Sequence, residues 1–373
     1  MRKLRNPFLL TGYHSKDYFC DRDQELKSLH EHVNNERNVV LYSWRRIGKT
    51  ALIKCFISQL EKEKKAEAVY VDLLGTRNMA DAIRSITQAV FDRFGRTGSG
   101  ISYSFQKLLG SIGLDLKFDP ATGVPSLALG IRHHESDGRS LAAIGAFLEK
   151  RKKRILIVFD EFQQIVRYVE QNGEALFRSW MQAFPGIRFI FCGSHRHMMV
   201  SMFSGKNRPF YGSSQLMQLD PIESGQYARF ITGLFKAGGK VIDQAAIRNM
   251  FTWSRMQTYC IQLVCNKLYG LYDRVEEESL ETVYREILEQ ESSFFSEYLK
   301  LLTHLQWKVL NAVAREEPLH NPLSKDFIAK YDLGASSSVS TALGMLKKHE
   351  IVIQEEGAYY IHEVLLRNWL DSL

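Results

Sequence analysis

The chain has 373 residues, enough for two or three domains, and its 45% hydrophobic and 24% charged content is ordinary for a globular protein with sizeable cores. A formal net charge of +7 over this length is a mild basic excess, which permits contact with nucleic acid or an acidic partner without demanding it. No apolar run approaches a membrane-spanning length, and Phe8-Leu9-Leu10 behind the basic start Met1-Arg2-Lys3-Leu4-Arg5 is too short for a signal-peptide core, so membrane and secretory classes are not expected.

Residues 1–38 read as a short lead and an amphipathic helix near Asp23–Asn34. A strand is predicted over Val39–Tyr42, a helix from about Thr50 to Lys64, a strand over Ala68–Asp72 and a helix over about Met79–Phe94. Residues 95–140 break this rhythm. There, Leu114–Phe118 and Leu127–Leu129 flank Asp119-Pro120-Ala121-Thr122-Gly123, which predicts an inserted β-hairpin. Strands follow at Ile155–Phe159 and Phe189–Cys192, separated by a helix over Gly173–Ala183, with a fifth strand near Gln215–Leu219. Strands that are apolar throughout and alternate with helices imply a parallel sheet covered on both faces. From about Pro221 the pattern becomes helical, and a short hairpin is expected near Ile351–Tyr360. Five cysteines, Cys20, Cys55, Cys192, Cys260 and Cys265, show no metal-ligand spacing. All but Cys20 lie in apolar segments and read as reduced thiols of a cytoplasmic protein.

The segment Ser43-Trp44-Arg45-Arg46-Ile47-Gly48-Lys49-Thr50 joins the first strand to the first helix. It matches the phosphate-binding pattern G-x-x-x-x-G-K-[ST] except that Ser43 replaces the first Gly. Backbone N–H groups of such a loop and of the helix start, through Ala51, form an anion site. Gly48 lets backbone approach phosphate, Lys49 supplies a point charge, and the Thr50 hydroxyl suits Mg²⁺. Ser43 is expected to take up the tight turn of the missing Gly at some steric cost.

The third strand ends in Asp160-Glu161, 111 residues after Lys49, a gap filled by the insertion. Asp160 can hold Mg²⁺ through water, and Glu161 can orient and deprotonate an attacking water. The fourth strand ends in Gly193-Ser194-His195-Arg196-His197. Ser194, and after it Arg196, are candidates to sense the γ-phosphate or the water. With no third ligand in view, the two histidines read as solvated loop residues rather than a metal pair.

Together these segments resemble the AAA-like P-loop ATPases of the STAND class, in the group first described largely from archaea and also widespread in bacteria. Phe19-Cys20-Asp21-Arg22-Asp23-Gln24-Glu25-Leu26 is similar to that family's F-x-x-R-x-x-E-L motif, which adds Arg22 to the nucleotide-binding candidates. Arg45-Arg46 precede Ile47-Gly48-Lys49-Thr50 as in its phosphate loop, where Ser is tolerated at the first position. Pro209-Phe210-Tyr211-Gly212 resembles a Pro-x-Tyr-Gly stretch, although Ser213 stands where Arg usually follows.

The resemblance implies a P-loop ATPase domain over 1–220 with the hairpin insertion near 96–140, a helical lid over 221–303 and a winged helix over 304–373. It also implies ATP or ADP with Mg²⁺ as ligands. Trp253–Tyr259 stands where the family often has a Gly-x-Pro-Tyr-like helix start. There Arg255 is either a second phosphate sensor or, the expectation from its helical setting, a solvated arginine. In the C-terminal unit Ser336–His349 takes the place of a recognition helix. It offers serines, with Lys347-Lys348 only at its end, and Glu355-Glu356 at the wing tip would repel phosphate. A regulatory or protein-contact role is therefore expected over a DNA reader. Ile361-His362-Glu363 is similar to the Met-His-Asp motif of signalling ATPases, in which His contacts the ADP phosphate; the alternative is a locally satisfied His. The sequence thus suggests a cytoplasmic Mg·ATP-dependent switch with slow hydrolysis and a protein partner. The alternatives are a DNA-binding initiator-like ATPase and a nucleotide-binding scaffold without turnover.

Overall fold

The computed structural model describes residues 4–97, 100–118, 125–129, 137–170 and 172–373. The chain divides into two compact units, one over Gly12–Asp220 and one combining the start through Thr11 with Pro221–Leu373.

The first unit is built on a five-stranded sheet. Its order is Ala66–Asp72, Arg154–Asp160, Ile187–Gly193, Val39–Tyr42, Gln215–Gln218, and every neighbouring pair is parallel. Successive side chains of a strand point to opposite faces. Ile155, Ile157 and Phe159 therefore enter one core with Val69, Val71, Phe189 and Phe191. Leu156 and Val158 enter the other with Ala68, Ile190, Leu52 and Phe56. Burial on both faces is why these strands are apolar throughout. At the carboxyl edge of the sheet, where ligands bind in open α/β folds, the Val39–Tyr42 strand feeds the Lys49–Lys62 helix.

The insertion holds more order than its Gly- and Ser-rich composition suggests. Arg96–Thr97 pairs antiparallel with Gly100–Ile101, and a helix runs over Tyr103–Ile112, capped by Ser102 accepting from the Phe105 N–H at 3.3 Å. Leu114–Phe118 then pairs antiparallel with Pro125–Leu129 in the expected hairpin, whose turn at 119–124 lies outside the described residues.

In the second unit, helices over Ser224–Ala237, Gln244–Ser254, Thr258–Leu271 and Glu278–Leu299 are joined by a short parallel pairing of Val241–Ile242 with Arg274–Val275. The start of the chain packs here, not with the sheet as expected. Phe8 is buried against Phe235 and Tyr269, and Asn6 and Asn266 exchange hydrogen bonds with the backbone of Asn266 and Phe8. Helices over His304–Glu316, Lys325–Lys330 and Ser336–Lys348 precede an antiparallel hairpin of Val352–Glu355 and Ala358–Ile361, the order of a winged helix. A last helix, Val364–Asp371, closes the unit. Among the described residues no helix is long and apolar enough to cross a membrane, and all five cysteines, Cys20 included, are buried and unpaired with one another.

Candidate nucleotide site

The loop between Tyr42 and Lys49 turns at two left-handed residues, Arg46 at φ 66° and Gly48 at φ 101°. Ser43 is not one of them, which corrects the expectation that it carries the strain of the missing glycine. Its buried hydroxyl instead donates to the Trp44 carbonyl at 2.7 Å and accepts from Lys49 Nζ at 3.0 Å. Ile47 anchors the loop in the core, while Arg45 and Arg46 are exposed and Trp44, Gly48, Thr50 and Ala51 are half-buried.

Arg22 braces the loop from behind. It is 4% exposed, donates to Glu25 at 2.6 Å and to the Asp220 carbonyl at 2.7 Å, and reaches the Ile47 carbonyl at 3.4 Å. Its guanidinium fork suits this multi-point hold on backbone oxygens.

Lys49 is 6% exposed. Its ammonium also donates to the Trp44 carbonyl at 3.3 Å. Burial pushes its pKa below the ordinary 10.5, against the attraction of Glu161 and Asp160. A desolvated cation in this position gains from an arriving polyphosphate more than a solvated one does.

Thr50 donates its hydroxyl to Asp160 Oδ2 at 2.8 Å, and Tyr70 donates to the same oxygen at 2.6 Å. Asp160 Oδ1 accepts the Glu161 N–H at 3.1 Å. A hydroxyl and a carboxylate brought together from facing elements are hard oxygen donors. Mg²⁺ needs only one or two of these beside nucleotide phosphates and water, so the residues fit that ion. Among the described residues no cluster of three His, Cys, Asp or Glu side chains is placed to hold a metal.

Glu161 starts the 3-10 turn Phe162–Arg167 from a left-handed conformation, φ 53° and ψ 42°. For a non-glycine residue this costs roughly 1–2 kcal/mol. Phe162 holds it there: its fully buried ring packs on Phe191, Phe177 and Phe210. The Glu161 carboxylate accepts from Ser194 Oγ at 2.7 Å and from Gln163 Nε2. The Gln163 amide also reaches Ser194 Oγ at 3.4 Å.

Arg196 opens the Arg196–Ser204 helix, half-buried, just past Ser194. His195 is buried and lies 3.3 Å from the Arg167 guanidinium through Nε2, so the expectation of two solvated histidines fails for it. His197 is exposed and meets Trp44 edge-on at 6.1 Å.

The structure brings Ser43, Lys49, Thr50, Asp160, Glu161 and Ser194 to one sheet edge. His362 belongs to the second unit, where its Nδ1 lies 3.1 Å from the Glu350 carbonyl oxygen. Arg255 is neither helical nor simply solvated. It and Met256 are both left-handed, at φ 48° and 58°, between two helices, and its guanidinium pairs with buried Glu317. Sequence reasoning missed Tyr70 and Gln163. Both reach the site through strand register and a tight turn, which no local pattern announces.

A family model described as an ATPase domain predominantly from Archaea matches residues 19–252, and a second, described as a probable winged helix domain, matches residues 293–372. No match was found among curated proteins. The fold is similar to the Walker-type ATPase PABY2304 of Pyrococcus abyssi, with TM-score 0.65 and 16% identity over 98% of this chain and 99% of that one. It is also similar to the Aeropyrum pernix ORC1 protein solved in complex with DNA, with TM-score 0.55 and 15% identity over 99% and 96%. The Aeropyrum pernix ORC2 protein, solved as ADPNP-ADP complexes, gives TM-score 0.54 and 13% identity over 94% of each chain.

Proposed function

The chain belongs to the family of ATPase domains found predominantly in Archaea, and from that premise we propose that it binds Mg·ATP, hydrolyses it slowly to ADP and acts as a nucleotide-dependent regulatory switch of the STAND type. The observation that carries the reading is the meeting of Thr50 with Asp160 beside buried Lys49.

In this reading the loop from Ser43 to Ala51 wraps the phosphates with backbone N–H groups. Lys49 exchanges its contacts with Ser43 and Trp44 for phosphate oxygens. Thr50 and Asp160 hold Mg²⁺, which supplies charge neutralisation on the phosphates when bound. Glu161 takes the proton of the attacking water, and Ser194, with Arg196 behind it, senses the γ-phosphate. Arg22 acts on nucleotide through the Ile47 backbone. The five cysteines, buried and not joined in disulfides with one another, support a cytoplasmic setting.

Switching requires that ATP and ADP favour different arrangements of the chain. The resemblance of Ile361-His362-Glu363 to the Met-His-Asp motif would give His362 a part in that difference. Losing a charged hydrogen bond to phosphate, worth about 1.5–3 kcal/mol, would lower ADP affinity roughly ten- to hundredfold in His362→Ala.

A second reading, a DNA-contacting initiator-like ATPase, draws on the winged helix and on the ORC1 structure with DNA. Against it stand the wing residues Glu355 and Glu356 and a third helix that exposes Ser336, Ser337, Ser338, Ser340 and Thr341, with Lys347 and Lys348 only at its end. Lys347 donates to Gln354 at 2.8 Å and lies over the Tyr359 ring, so its charge is held on the wing. A protein partner fits this surface better.

The test is turnover. Wild type should hydrolyse ATP, and Glu161→Gln should keep ATP bound while hydrolysis falls by about 100-fold or more. A wild type that binds without turnover would make the chain a scaffold.

A further inference from the structure

We propose that Gln163 is a positioning residue for hydrolysis, holding the Glu161 carboxylate and the Ser194 hydroxyl as one unit; this rests on the reading of Glu161 as the base.

Gln163 is 2% exposed, in the turn directly after Glu161. A buried amide is held by its hydrogen bonds, and here Nε2 spends them on Glu161 Oε2 and Ser194 Oγ. The orientation follows from chemistry. A carboxylate only accepts, so the NH₂ end must face it. The other end, Oε1, is buried and has no hydrogen-bond partner among the described residues. The amide keeps its donors on the two candidate catalytic groups.

The opposite wall is built to admit it. A Cβ on Gly193 would lie 2.5 Å from Gln163 Oε1 and 2.4 Å from Met199 Sδ. The residue preceding Ser194 is therefore one without a side chain, and the amide occupies the space. Ser194 and Glu161 sit on neighbouring strand ends, so Gln163 fixes the base relative to the sensor across the sheet.

The consequence is a kinetic signature. Gln163→Met keeps the bulk and removes the donors. The kcat for ATP should fall roughly 10- to 100-fold, the scale of misplacing a catalytic group by about 1 Å, while KM and calorimetric ATP affinity stay within about twofold. Gly193→Ala, which pushes the amide aside from the other wall, should lower kcat in the same direction without loss of ATP binding. Because Gln163 acts through Glu161, Gln163→Met added to Glu161→Gln should cause no further loss. If Glu161→Gln itself leaves hydrolysis unchanged, the base reading fails. If Glu161→Gln is slow but Gln163→Met alone is at least as fast as wild type, the positioning role is overturned. A full additional loss in the double variant overturns it as well.

Discussion

Thr50 and Asp160, 110 positions apart in the chain, share a hydrogen bond of 2.8 Å. The helix that starts at Lys49 carries the hydroxyl, and the strand that ends at Asp160 carries the carboxylate. Parallel pairing through the intervening Ile187–Gly193 strand sets that distance. These are the two oxygens that would hold Mg²⁺ in the proposed reading.

Thr50→Val keeps the shape and removes the hydroxyl. Affinity for ATP in Mg²⁺ should fall about tenfold or more, with little change in the presence of a chelator, because only the metal-assisted part is lost. Isothermal titration with and without Mg²⁺ checks this, and an equal loss in both conditions would assign Thr50 to phosphate contact alone.

Lys49 carries a stability cost that the site tolerates. Its pKa is depressed by burial, so between that value and 10.5 the unfolded chain binds more protons than the folded one. This contribution to stability therefore rises with pH through that window and is unfavourable at neutral pH. Lys49→Met should raise the melting temperature of the nucleotide-free protein near pH 7, and the gap to wild type should narrow as pH approaches 10.5. A variant that melts lower at pH 7 would mean that the attraction to Glu161 and Asp160 outweighs burial.

The wing residues Glu355 and Glu356 and the tethered Lys347 predict weak DNA binding. Any complex should be blind to sequence and lost as salt rises to physiological levels. A tight complex at physiological salt, abolished by Lys347→Ala with Lys348→Ala in a fluorescence anisotropy titration, would instead favour the initiator-like reading.

Glu317 ties the Arg255 bend to the winged helix. Its side chain is 2% exposed, pairs with Arg255, lies 3.8 Å from Arg367 and accepts the Ile361 N–H at 3.2 Å. Glu317→Ala should destabilise the protein by about 1–3 kcal/mol in denaturant melts. The arginine side chains stay about 30% exposed and can turn to water, so the larger penalty of a stranded buried charge does not apply. ATP affinity should be unaffected.

The strands were legible because a parallel strand buried on both faces must be apolar along its whole length, as Ile155–Phe159 is. The phosphate loop was legible because Gly48, Lys49 and Thr50 each answer a local demand of anion binding. What escaped depends on distant partners. Tyr70 reaches Asp160 only because Asp72 is in register with Asp160. His195 is buried by surroundings that its polar neighbours in sequence do not reveal. Phe8 finds Phe235 more than two hundred residues away. Ser43 misled for a different reason. The pattern marks where glycine is usual, whereas the left-handed turn here falls at Arg46 and Gly48.

The most direct measurement is calorimetric titration of Mg·ATP into wild type and into Lys49→Ala, with folding of the variant verified by circular dichroism. Saturable binding by wild type and none by the folded variant is expected, since Lys49 is the buried cation of the loop. Equal affinity in the two proteins would contradict the assignment of the Ser43–Thr50 loop as the nucleotide site.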